Sequence, residues 1–241
     1  HFWAPDAYDG APISVAAYLS VITKVAAVFA FAQVLRDLPV DSSWPLVIAM
    51  IAAVTMTYGY LAAVVQTNMV RLIAYSSVAQ SGYFLLGIVA LGVSPLALPS
   101  LIVMGAAYVA MNLGAFGIVL LVGRNLDDFR GFGRQRPLAG VAMVVFLLSL
   151  AGIPPLFGFV GKVYLFGAAI EAGYLWLALI GIANSVLGLG VYLRIMVPMY
   201  QAAAAGDDGY VKAPSAALMA VIAVAAIVTL GMGLFAGYLP G

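Results

Sequence analysis

The chain has 241 residues, 65% hydrophobic and 8% charged, with a mean hydropathy of +1.13. Soluble domains carry roughly 45–50% apolar and about 25% charged residues, so an ordinary water-soluble enzyme is excluded. Ten basic against nine acidic residues give no footprint for nucleic acid, and with no cysteine and His1 as the sole histidine the chain lacks ligands for disulfides, structural zinc, iron–sulfur clusters or histidine-ligated haem.

His1 lies in a pattern already under way (His-Phe-Trp-Ala-Pro-Asp), with no basic n-region or cleavage site before it, and the chain is read as the C-terminal part of something longer. A helix crosses a hydrocarbon core with about 20 mostly apolar residues. Apolar runs bounded by charge, Pro and Gly predict seven spans, at roughly 12–35, 45–65, 71–92, 96–123, 137–170, 174–200 and 213–239. The fold class is therefore an all-α polytopic transmembrane bundle, and no alternating strands of the barrel kind are present. Gln66 to Arg71 reads as a tight polar turn between the second and third spans, and residues 124–136 as the longest polar loop. Outside the spans, Arg71, Arg124, Arg130, Arg134, Arg136 and Lys212 fall on one side and Arg36 on the other. That excess predicts a cytoplasmic first side and a C-terminus outside the cytoplasm, with Trp44 and Trp176 as interfacial anchors.

The fifth span is too long for one crossing. Its 34 or so residues would make a helix of about 51 Å. Near its middle Pro154 and Pro155 stand in Ala-Gly-Ile-Pro-Pro-Leu-Phe-Gly; two prolines remove two donors and clash with the preceding turn, so the helix breaks there. Broken helices at membrane depth recur at ion and substrate sites of transporters, although a kink for packing, or two short spans, would leave the same sequence trace.

Two lysines stand where charge is costly. Lys24 lies about twelve residues into the first span, and Lys162 follows the Pro-Pro break by seven residues, after Gly158 and Gly161. An intramembrane lysine costs about 2.5–3.5 kcal/mol on insertion scales. Desolvation disfavours the ammonium, and no carboxylate lies within the spans; Glu171 alone stands near a helix end. Both lysines are therefore candidate proton carriers; the alternative for each is a buried ion pair between helices. Tyr58, Tyr108, Asn112 and Asn184, with Tyr60 and Ser185, are polar groups that can hold a water chain between the lysines, or singly serve as helix–helix glue. Arg194 lies close enough to a span end to reach the interface and reads chiefly as an anchor. No phosphate-cradling Gly-rich loop or Ser/His/Asp arrangement is present. The chain can thus move a proton but does not itself power the movement.

Three stretches closely resemble the antiporter-like membrane subunits of respiratory complex I. They are His1-Phe-Trp-Ala-Pro-Asp-Ala-Tyr-Asp-Gly-Ala-Pro12 followed by Lys24, Gln66-Thr-Asn-Met-Val-Arg-Leu-Ile-Ala-Tyr-Ser-Ser-Val-Ala-Gln-Ser-Gly-Tyr83, and Leu148-Ser-Leu-Ala-Gly-Ile-Pro-Pro155 through Gly158-Phe-Val-Gly-Lys162. With Leu113-Gly-Ala-Phe-Gly117 they run through most of the chain in the family's order, and their wording favours the subunit N branch. There are two departures: Val70-Arg71 stands where a Lys-Arg pair is frequent, and Gln80 where a histidine is common.

The resemblance implies fourteen helices in an antiporter-like inverted-repeat fold with one broken helix per repeat. Residues 1–241 would form one membrane domain, with 1–11 ending a preceding broken helix, a second inverted repeat at roughly 45–200 and a last helix at roughly 213–239. Lys24 and Lys162 match the family's proton-transferring lysines, while a further glutamate and lysine of the relay would lie upstream of His1. The implied activity is that of a subunit of a proton-translocating NADH:quinone oxidoreductase in the bacterial inner membrane. No cofactor is expected in this chain; NAD, FMN, iron–sulfur clusters and quinone are expected in partner subunits. The implied partners are an adjacent antiporter-like subunit, small membrane-arm subunits and lipids. The rival readings are a subunit of a multi-subunit sodium/proton antiporter, and a non-pumping structural subunit of the membrane arm.

Overall fold

Helix boundaries follow the punctuation of the sequence. The structure, a computed structural model, describes residues 3–36, 38, 43–202 and 214–235. It contains α1 (Trp3–Gly10), α2 (Ile13–Leu35), α3 (Trp44–Val64), α4 (Met69–Val89), α5 (Ala97–Val122), α6 (Pro137–Ala151), α7 (Phe157–Glu171), α8 (Leu175–Met199) and α9 (Ala216–Phe235). Pro45 and Pro137 sit in the first turns of α3 and α6, where the missing N–H costs nothing. Among the described residues the one β-type pairing is the isolated bridge between Asn68 and Asn125. His1, Lys212 and both ends of the predicted 213–239 span lie outside the described residues.

Helices α2, α3, α4, α5, α8 and α9 are each long and apolar enough to cross a membrane. The predicted fifth span is divided: α6 and α7 have 15 residues each, or about 22 Å, short of the roughly 30 Å hydrocarbon core. The polar loop does not extend α6, because residues 127–135 meet it at 120°.

The centre of the bundle is α4, 89% buried against 17% for α9. It pairs with α3 as a hairpin and also touches α1, α5 and α7. Contact with α3 is close because of Gly59, where a Cβ would lie 2.5 Å from the Ala79 backbone nitrogen. In the outer helix α9 only Ile222, Ala225 and Thr229 are fully buried, a stripe at helical spacing flanked by the partly buried Leu218, Ala226 and Val228. Its remaining apolar surface faces outward, as expected beside lipid rather than water.

One end of the bundle is tied by polar groups from the predicted turn and loop. The Asn68 side chain caps α4, accepting from Val70 N–H (2.9 Å) and Arg71 N–H (3.1 Å), while its amide donates to Asp9 (2.8 Å). Arg71 pairs with Asp6 at 2.7 Å. Arg124 donates to the backbone carbonyls of Asp9 (2.6 Å) and Ala11 (2.5 Å), groups left without partners where α1 ends. Arg194 similarly reaches the Gln66 carbonyl beyond the end of α3, at 3.3 Å. Arg124→Ala should cost about 1–3 kcal/mol, because it leaves two carbonyls unpaired beneath the loop. The check is the melting temperature of the solubilised protein; an unchanged value would show that the cluster contributes nothing.

Candidate functional site

The lysine of α2 follows an irregular turn. Residues Leu19–Thr23 are π-helical, a departure from α geometry that is frequent at functional sites and leaves no trace in this sequence. Beyond it, Lys24 Nζ donates to the Ser77 carbonyl and hydroxyl and lies 3.4 Å from Tyr108 OH. Tyr108 OH also shares a 2.7 Å hydrogen bond with Ser77 Oγ and reaches the Ser20 carbonyl at 3.1 Å. Asn112 donates to Ser20 Oγ (2.8 Å) and Tyr108 OH (3.1 Å). Lys24 is half-buried in the wall of a cavity of about 650 Å³ between α1, α2, α3 and α4, with Tyr8, Thr23 and Ser81 as its other polar lining residues.

The second site is built by the break between α6 and α7. Gly152 ends α6 in the left-handed region (φ 87°), and the N–H groups of Gly152 and Ile153 turn back onto Ser149 and Leu148, the bonding of a Schellman cap. This leaves the last two carbonyls of α6, Leu150 and Ala151, without backbone donors. Two side chains take them: Gln80 Nε2 donates to Leu150 at 3.0 Å, and Lys162 Nζ to Ala151 at 2.9 Å. Ser149 Oγ in turn accepts from Gly158 N–H (2.9 Å) in the first turn of α7. The predicted break is thus real, and its freed carbonyl holds the lysine. Lys162 is 2% exposed, donates to Ser185 Oγ at 3.1 Å and lies 4.2 Å above the Tyr83 ring, whose face attracts a cation.

One helix touches both lysines: α4 supplies Ser77 to Lys24 and the Tyr83 ring to Lys162. Ser77, Gln80 and Tyr83 follow each other at spacings of three along α4, and Ser76 stands four residues before Gln80, so they lie on one side of the helix. The two sites stand about 9 Å apart along its axis. Ser76 Oγ shares a 2.5 Å hydrogen bond with Tyr192 OH, and Tyr60 OH accepts from Gln80 Nε2 at 3.1 Å. Among the residues singled out by sequence, Lys24, Tyr108 and Asn112 are brought together, and Lys162 joins Ser185. Asn184 bonds instead to Thr57 Oγ1 (3.0 Å) and the Ile180 carbonyl. Tyr58 points outward, 44% exposed, with its ring edge-on to Tyr75. Sequence reasoning did not select Ser77, Gln80 or Tyr83 as site residues, although their spacing of three in an otherwise apolar stretch of helix was the available signal.

Neither ammonium forms an ion pair among the described residues. The carboxylates bind elsewhere: Asp6 and Asp9 to Arg71 and Arg124, and Glu171 to Ser94 Oγ at 2.5 Å. Each lysine is instead surrounded by carbonyls and hydroxyls. A hydroxyl both donates and accepts, so such a shell can serve an ammonium and a neutral amine without repacking. A buried partner carboxylate would favour the charged state alone.

A family profile described as NADH:quinone oxidoreductase/Mrp antiporter, TM matches residues 1–188. NADH-quinone oxidoreductase subunit N 1 of Solibacter usitatus is 39% identical over 98% of the chain and 50% of its own length. The chain spans about half the length of the curated relatives it matches. A chain of respiratory complex I from Thermus thermophilus superposes with a TM-score of 0.86 at 31% identity, over 98% of this chain and 53% of that one. A chain of the Mrp complex from Dietzia sp. DQ12-45-1b gives the same TM-score at 24% identity, over 99% of this chain and 53% of that one, a likeness of fold. The helical architecture, the broken helix and the match over most of the chain make it an integral membrane protein belonging to the NADH:quinone oxidoreductase/Mrp antiporter transmembrane family.

Proposed function

We propose that the chain carries protons across the bacterial inner membrane as part of an NADH-quinone oxidoreductase, with Lys24 and Lys162 as the groups that take up and release them. The observation that carries this reading is a pair of lysines without carboxylate partners, each in a shell of carbonyls and hydroxyls, along one buried helix. A charge kept only for structure would be held best by an opposite charge, whereas a shell of neutral acceptors and hydroxyls supports both the charged and the neutral lysine. NADH oxidation and quinone reduction take place in partner subunits, with NAD, FMN, iron–sulfur clusters and quinone bound there. The partners in the membrane are an adjacent antiporter-like subunit and smaller subunits of the same arm. The end of the bundle bearing Arg71 and Arg124 faces the cytoplasm, and the C-terminus lies outside it.

In this reading Lys24 receives a proton by way of its cavity and passes it toward Lys162, which releases it on the opposite side. Changes transmitted from the partner subunits favour the charged state of one lysine and then of the other. The chain supplies the path and the two stations, not the energy.

The test is to extract the full-length protein in mild detergent and assay what copurifies. NADH:quinone reductase activity in the same particle, with uncoupler-sensitive proton transport after reconstitution, is the expected result. A particle lacking flavin and NADH activity but exchanging sodium for protons would move the chain to the antiporter branch of its family.

A further inference from the structure

The polar loop between α5 and α6 carries more positive charge than the bundle uses. Arg124 is taken up in the tie to α1, but Arg130 donates to a neutral partner, the Gln201 amide oxygen, at 3.1 Å. Arg134 and Arg136 are exposed, and neither guanidinium has a hydrogen-bond or ion-pair partner among the described residues. The loop's own carboxylates do not compensate them. Asp128 turns back to accept from Asn125 N–H at 2.9 Å, and neither it nor Asp127 pairs with any of the three arginines.

This charge borders apolar surface. The last turn of α5, the short helix Phe132–Gln135, the start of α6 and the start of α9 enclose a pocket of about 190 Å³. Its apolar walls include Leu121, Phe132, Leu138 and Met219, and its polar lining residues are Gln135 and Arg136. Leu138 is 86% exposed, and Val141, one turn further on, is 56% exposed. The two share a face, so a bare apolar strip leads from the arginines along α6.

Unpaired guanidinium groups at the head of an apolar pocket and strip are complementary to a molecule that is anionic at one end and hydrocarbon at the other. A dissolved anion would leave the apolar walls unused, and a soluble acidic protein would not follow the strip below the membrane surface. A zwitterionic lipid brings a cation of its own to the arginines; a lipid of net negative charge does not. Basic pockets between membrane helices bind anionic headgroups, and the planar guanidinium fork suits phosphate oxygens. We propose that this pocket binds an anionic phospholipid, with its phosphate on Arg136 and Arg134 and one acyl chain along Leu138 and Val141. The inference goes beyond the proposed function: such a lipid ties the polar loop to α5, α6 and α9 whether or not the lysines carry protons.

The test uses the full-length chain in its assembled complex, extracted in mild detergent and given phosphatidylglycerol or phosphatidylcholine with a photoreactive group on one acyl chain. Phosphatidylglycerol should label the segments around Leu138 and Met219, and phosphatidylcholine should label them about fivefold less or weaker still. Arg136→Gln should lower the labelling about fivefold, and Arg134→Gln combined with it about 25-fold, the scale set by one basic residue at a membrane surface for each step. Both side chains are exposed and unpartnered, so the complex should keep its subunit content. Equal labelling by the two lipids, or unchanged labelling of the double variant, overturns the proposal. Protection by millimolar inorganic phosphate also overturns it, because the pocket would then be a simple anion site. A photoreactive phenylalanine analogue in place of Leu138 gives a reading that leaves the arginines intact. A lipid adduct is the expected product, whereas a crosslink to a neighbouring subunit would show that a protein helix covers the strip and would end the lipid assignment.

Discussion

Replacing Lys162 with Met should lower NADH-driven proton transport roughly a hundredfold, the usual scale for removing a positioned proton-transfer group, and slow coupled quinone reduction with it. The complex should still assemble. Methionine reproduces the unbranched stem that lies against Gly152, and what is lost is the ammonium over the Tyr83 ring and its bonds to Ala151 and Ser185. The orphaned Ala151 carbonyl does carry a cost, about 1–3 kcal/mol, which would confuse a stability effect with a chemical one. Lys162→Gln separates them. Glutamine can donate to the same carbonyl but has no titratable group, so it should melt near wild type and transport as poorly as methionine. Normal transport by either variant, measured in reconstituted complexes of equal subunit content, would sink the proton-carrier assignment.

How much of this could be read from sequence depended on how far each residue stands out from its surroundings. A lysine in an apolar run and two adjacent prolines in an overlong span are conspicuous, so Lys24, Lys162 and the break were legible, as was the helical membrane architecture. The partners were not. Tyr58 and Tyr60 look alike in the chain, yet two residues of helix separate their directions by about 200°. Tyr60 is buried against Gln80, while Tyr58 faces outward. Ser76, Ser77, Gln80 and Tyr83 plainly lie on one side of their helix, but which side meets the lysines is decided by helices distant in sequence. The π-helical turn at Leu19–Thr23 contains neither glycine nor proline, so nothing local announces it. Gln80 was noticed only as a departure from a family in which histidine is common there. Its position at the last turn of α6 belongs to tertiary structure.

The lysine and the break are coupled at Gly152, and this coupling can be measured. At φ 87° an alanine would pay the left-handed penalty, about 1–2 kcal/mol, and its Cβ would lie 2.7 Å from Lys162 Cδ. Relieving that overlap adds about 1–3 kcal/mol and pushes the ammonium off the Ala151 carbonyl. Gly152→Ala should therefore destabilise the protein by about 2–5 kcal/mol and also impair transport. In a Lys162→Ala background the stem is gone and only the backbone penalty remains, so the same substitution should cost about 1–2 kcal/mol. A double-mutant cycle on the solubilised protein isolates the difference. Equal costs in the two backgrounds would mean that the glycine serves the turn alone. A coupling of the expected size would mean that the glycine also sets where the charge rests, tying the end of α6 to the position of the Lys162 ammonium.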